Sequence, residues 1–113
     1  MIEIGITNGE YGELQGIFYR IGSLLVYSFY ISFKKQYELS SYAPLIKMDS
    51  WVVNGRYDIT SRCITDGGIE KPVSVYIPDA SDSFTINTYK NPIDVGSFVF
   101  SSGVIAIRPK WYR

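Results

Sequence analysis

The stretch "YRIGSLLVYSFYISF", residues 19–33, is the longest apolar run in the chain, and its conformation decides the fold. A membrane-crossing helix needs about 18 or more consecutive apolar residues. Here Arg20 falls inside the run and Lys34-Lys35 end it. A shorter helix is disfavoured as well, because Ile, Val, Tyr, Phe and Ser dominate and alanine is absent. Alternation fits instead. Leu25, Tyr27, Phe29, Ile31 and Phe33 share one side of an extended chain, and Leu24, Val26, Ser28, Tyr30 and Ser32 share the other. The first side is wholly apolar or aromatic and belongs to a core. The second is mixed and needs a partial cover, for which a second subunit is a candidate.

Working outward, strand patterns recur and no segment carries apolar residues at helical spacing over three turns. Residues 2–6 read as a short strand, followed by an Asn8-Gly9 turn. A tight turn at Ile21-Gly22-Ser23 admits the long strand. "KKQYELSSYAP" reads as a polar, tyrosine-bearing loop leading to "PLIKM". "WVV", the turn Asn54-Gly55 and alternating Tyr57, Ile59, Ser61 and Cys63 form an expected hairpin. "PVSVYIP" turns Val73, Val75 and Ile77 inward, with prolines at both ends that suit an edge or a strand terminus. "DSFTINTYK" alternates Phe84, Ile86 and Thr88, and Ser101-Ser102-Gly103 is expected to join "VGSFVF" to "VIAIRP" as another hairpin. The expectation is a single all-β domain over residues 1–113, an antiparallel, jelly-roll-like β-sandwich of about eight to ten short strands.

Composition narrows the function classes. The 113 residues carry a formal net charge of zero and a pI near 6.2, which favours neither nucleic acid nor insertion at an anionic membrane. Histidine is absent, so Ser-His and Cys-His catalysis are excluded, and with it goes the commonest metal ligand. The single cysteine, Cys63, lies in an alternating strand and reads as a buried structural thiol. Asp79 and Asp82 in "IPDASDSF" lack the density of a calcium loop and read as a solvated turn. "MIEIGITNGE" has no basic start, so no signal peptide is expected. No cofactor is implied.

What remains is binding. Trp51 opens the expected hairpin and Trp111 stands near the end, and an indole face stacks well on a sugar ring. Arg56, Asp58 and Arg62 alternate on the polar face of the following strand, where they serve a ligand's hydroxyls or simply meet solvent. Trp51, Arg56, Asp58, Arg62 and Trp111 are therefore the candidate ligand residues. Equally, Trp51 suits a core and Trp111 a neighbouring subunit. A carboxylate pair for glycan hydrolysis rests on no motif here.

The segments "GIFYRIGSLLVYSFYISF" and "SFTINTYKNPIDVGSFVFSSGVIAI" resemble the carboxy-terminal head domain of phage tail-fibre and receptor-binding proteins. A turn leading into a long strand is met by Tyr19, Gly22, Leu25, Val26 and Phe29, and a later strand by Phe84 to Ile86. The closing pattern is met by Gly96, Phe98, Phe100, Gly103 and Ile105. The resemblance spans about residues 9–107, and residues 34–72 match no pattern of it. It implies a homotrimeric, non-enzymatic β-sandwich at the virion tail tip, outside the host cell that made it in its cytoplasm. Its implied partners are host surface glycan, its own copies and other virion tail proteins. It carries over no catalytic residue. With the unclaimed face of the long strand, it makes Tyr19, Tyr30 and Phe98 the expected subunit interface. The initial methionine, with no fibre shaft before it, fits an excised domain or a stand-alone protein. The competing expectations are a structural virion or baseplate protein and a small glycan hydrolase.

Overall fold

The computed structural model describes residues 1–38 and 44–111. Part of the expected polar loop, residues 39–43, lies outside the described residues, as do Tyr112 and Arg113. The described chain is all-β and antiparallel. Its strands are β1 (Ile2–Glu3), β2 (Ile6–Asn8), β3 (Gly12–Ile21), β4 (Leu24–Phe33), β5 (Ile46–Met48), β6 (Trp51–Val53), β7 (Tyr57–Ile64), β8 (Glu70–Ile77), β9 (Ser83–Asn87) and β10 (Phe98–Pro109). The class and the strand number agree with the sequence reading.

The opening stretch runs from the end of β3 through a turn into β4, whose alternation is realised. Leu25, Tyr27, Phe29, Ile31 and Phe33 are all buried, while the other side stays open or half-covered. Gly22 has φ +58° and lies with Ser23 between β3 and β4. A positive φ at the first central position is the requirement of a II′ hairpin turn, and glycine meets it without strain.

Hydrogen bonding joins the strands in the order β1-β3-β4-β10-β7-β8-β9-β5-β2, with β6 on β10. This is one curled sheet, a half-barrel, and the pairing does not draw two separate sheets. The curl follows from the N-terminal segment. Its first part pairs with β3 and its second with β5, so one segment laps both edges. Between them Ile4 is buried and its N–H donates to the Phe18 carbonyl at 3.0 Å. Inside the curl, Phe18, Tyr27, Phe29 and Phe84 form an aromatic cluster with centroids 5.5–6.4 Å apart. Val73, Val75, Ile77, Ile86, Val99, Ile105 and Ile107 belong to the same core.

The two later hairpins do not form. β10 runs unbroken for 12 residues, roughly 40 Å at about 3.4 Å per residue, close to the 42 Å long dimension. Gly103 is mid-strand there. A Cβ on it would lie 3.1 Å from the Tyr27 ring and hydroxyl, so this glycine admits a side chain instead of making a turn. Ser101, the supposed turn residue, is buried with its Oγ 3.0 Å from the Tyr27 hydroxyl. Likewise β6 and β7 do not pair with each other, because each pairs with a different part of β10. β8 is paired on both sides, but β9 covers only Ser74 to Tyr76, leaving Pro72 where no ladder donor is needed on that side. Tyr37, expected in a polar loop, is fully buried and accepts the Ile86 N–H at 3.2 Å.

Candidate functional site

Two surfaces stand out. The first is an open groove of about 1340 Å³ at one end of the curl. The β3–β4 turn supplies Gly22 and Ser23, β6 supplies Trp51 and Val52, and Ala80, Ser81 and Asp82 come from the β8–β9 loop. The end of β10 contributes Ile107, Arg108, Pro109 and Lys110 just beyond it. β6 is held there by its pairing with β10, where Trp51 stands opposite Pro109 and Val52 opposite Arg108.

Arg20 enters the groove from β3. Its guanidinium carbon lies 4.9 Å from the Trp51 ring centroid, and Nη1 donates to the Gly22 carbonyl at 2.8 Å. A stacked, tethered guanidinium of this kind keeps its remaining donors in a fixed plane. Asp82 is occupied differently. Lys110 Nζ is 2.7 Å from its carboxylate, Lys47 Nζ 3.9 Å, and the Ser83 hydroxyl donates to it at 2.8 Å. Partial burial works to raise the Asp82 pKa, but these hydrogen bonds and the two lysine charges outweigh it and hold the carboxyl below the usual range. The Asn54 carboxamide, on the same wall, makes no intramolecular hydrogen bond among the described residues.

Of the ligand residues expected from sequence, Trp51 lines this groove and the others do not. Arg56 pairs with Asp58 at 3.4 Å and lies 5.1 Å over the Tyr76 ring. Arg62 pairs with Glu70 at 2.7 Å and stands opposite Phe100, well along β10 from the groove end. Trp111 is 81% exposed, beyond the groove lining. Arg20, Asn54, Asp82, Arg108 and Lys110 were not among the sequence candidates. For Arg20 there was a usable signal. It shares its parity on β3 with the buried Phe18, and a charge on the core-facing side of a strand calls for a reason.

The second surface is the outer face of β3, β4 and β10. Register sets Tyr19, Val26 and Val104 in one row, Ile21, Leu24 and Ala106 in the next, and Gln15, Tyr30 and Phe100 in another. Phe98 and Phe100 are 38% and 39% exposed, and Ile17, Ile21, Leu24 and Val104 are more open still. Tyr30, Phe98 and Phe100 form an aromatic group with centroids 5.8–6.4 Å apart. Between this group and Val26 and Val104 runs a shallow trough of about 380 Å³ floored by Ser28 and Ser102, whose hydroxyls are 2.8 Å apart. Tyr19, Tyr30 and Phe98 thus lie on one face, Tyr19 away from the aromatic group.

Cys63 is buried, and burial pushes its thiol pKa up, which suits a structural residue and not a nucleophile. Among the described residues no group of three or more acids or cysteines is placed to hold a metal ion. Comparisons with protein-family models, curated proteins and solved structures return no match.

Proposed function

We propose that this chain is a non-enzymatic receptor-binding head of a phage tail fibre, which adheres to host cell-surface saccharide and works as a homotrimer. The observation that carries the reading is the groove beside Trp51, larger than the 300–1,000 Å³ usual for small-ligand pockets and walled by an indole, a carboxamide unengaged among the described residues, and fixed cations. An open trench of this size suits an extended oligosaccharide. Asp82 is the one carboxylate among the described residues lining it, and its ion pairs keep it charged, whereas glycoside hydrolysis commonly uses a carboxyl pair. The outer face supports the oligomer, since contiguous exposed apolar surface on a sheet invites a partner.

That same outer face favours a second reading, a structural virion or baseplate protein whose strands mediate assembly alone. A glycan array of host-envelope polysaccharides separates the readings. Binding by the wild-type chain, lost in Trp51→Ala and without release of shortened sugar, supports the receptor-binding head. Silence on every polysaccharide, with tight binding to another virion protein, overturns it in favour of assembly.

A further inference from the structure

We propose that the groove selects an acidic saccharide, one bearing carboxylates, and that the Arg20 guanidinium receives the acid group. This rests on the saccharide-binding reading above and names the ligand class.

Six cations among the described residues are spoken for. Lys34, Lys35, Lys47, Arg56, Arg62 and Lys110 each pair with a carboxylate. Arg20 has no carboxylate within pairing distance among the described residues, yet its guanidinium is held in place by its surroundings. Trp51 supports its plane and the Gly22 carbonyl takes a single hydrogen bond. A guanidinium has five N–H donors, so most of the fork remains to be satisfied. Its planar geometry matches a carboxylate through two parallel hydrogen bonds.

The local field points the same way. Among the described residues Arg20 and Lys110 line the groove with Asp82 as the one acid there, and Asp82 is already shared between Lys110 and Lys47. The chain as a whole is neutral, so this positive end is local and not a general affinity for polyanions. Asn54 adds a donor and an acceptor for sugar hydroxyls on the same wall. Because Arg20 covers one face of Trp51 and the half-buried indole also packs against the core, the sugar meets only the exposed part of the ring while its acid group meets the guanidinium.

The test is titration of the intact chain, followed by calorimetry, with an oligogalacturonate and with its methyl-esterified, neutral counterpart. The acid form is expected to bind about ten- to a hundredfold more tightly than the ester, the range of one strong charged hydrogen-bond pair. Arg20→Gln is expected to erase the preference. Arg20→Lys, which keeps the charge but loses the fork, retains only part of it, and Arg62→Gln leaves it intact. Circular dichroism establishes that each variant is folded. Equal affinity for acid and ester overturns the acid preference and leaves saccharide binding standing. Absence of binding to either sugar, or binding only to a tetraglutamate peptide, overturns the acidic-saccharide assignment, and the polysaccharide array decides separately whether saccharide binding stands.

Discussion

The Tyr27 hydroxyl lies 3.0 Å from Ser101 Oγ, and Ser61 Oγ lies 2.9 Å from that same oxygen. Ser61 also donates to the Ile59 carbonyl at 3.0 Å, so a buried polar chain crosses from β4 through β10 to β7. It fills the place where β7 diverges from β10 after the Phe100–Arg62 pair. Burial pushes the Tyr27 pKa up, with the Ser101 hydrogen bond opposing, so the phenol stays neutral above the usual tyrosine range.

Ser101→Ala removes the middle of this chain and strands the Tyr27 hydroxyl. The expected loss of stability is about 1–3 kcal/mol, the usual penalty for an unsatisfied buried group. Tyr27→Phe leaves Ser101 with Ser61, so its expected loss is smaller, about 1 kcal/mol. Urea unfolding midpoints check both. A Tyr27→Phe loss larger than that of Ser101→Ala contradicts the network.

Tyr89 and Lys90 have φ of 52° and 71°, and the Asn91 N–H donates to the Thr88 carbonyl at 3.0 Å. Two successive positive φ values make a type I′ turn, which favours Asn-Gly and not Tyr-Lys. Tyr89 is retained for another reason, since its hydroxyl reaches Ser74 Oγ at 3.2 Å. Lys90→Gly relieves one strained position without touching that bond. Thermal unfolding is expected to show a gain of about 0.5–1 kcal/mol, and a loss contradicts the turn.

Acid should unfasten the groove. The Asp82 carboxyl is held below its unfolded value, so its contribution is present above about pH 4 and fades as pH falls through the lower folded value. Asp82→Asn removes the titrating group. Between pH 5 and pH 2, the variant's urea midpoint is expected to fall less steeply than that of the wild type. Parallel slopes contradict the assignment.

The outer face should hold copies together. Light scattering of the wild-type chain is expected to give a trimer, and Phe100→Asp to give a monomer with near-native circular dichroism. Phe100 is exposed within one chain, so the substitution should leave the fold of a single subunit alone. A wild-type monomer contradicts the assembly.

The core of the fold was legible because β4 is a ten-residue strand whose alternation is unbroken. The hairpin errors have one physical cause. Ser-Ser-Gly and Asn-Gly are local turn vocabulary, but here distant residues decide their conformation. Gly103 yields to Tyr27, and Gly55 donates its N–H to the Asp79 carboxylate at 2.9 Å while β6 and β7 go separately to β10. The groove was legible only at Trp51. Its other members come from β3, the β8–β9 loop and the end of β10, which sequence spacing does not bring together. The Arg20–Trp51 stack joins residues that only the curl of the sheet makes neighbours.

Saccharide is expected to bind at the Trp51 groove. Amide chemical-shift mapping by NMR, during titration with host-envelope oligosaccharide, tests it most directly. The expected shifts gather at Arg20, Trp51, Asn54, Ser81 and Lys110. Shifts confined to the outer face around Tyr30 and Phe100, or none anywhere, contradict it.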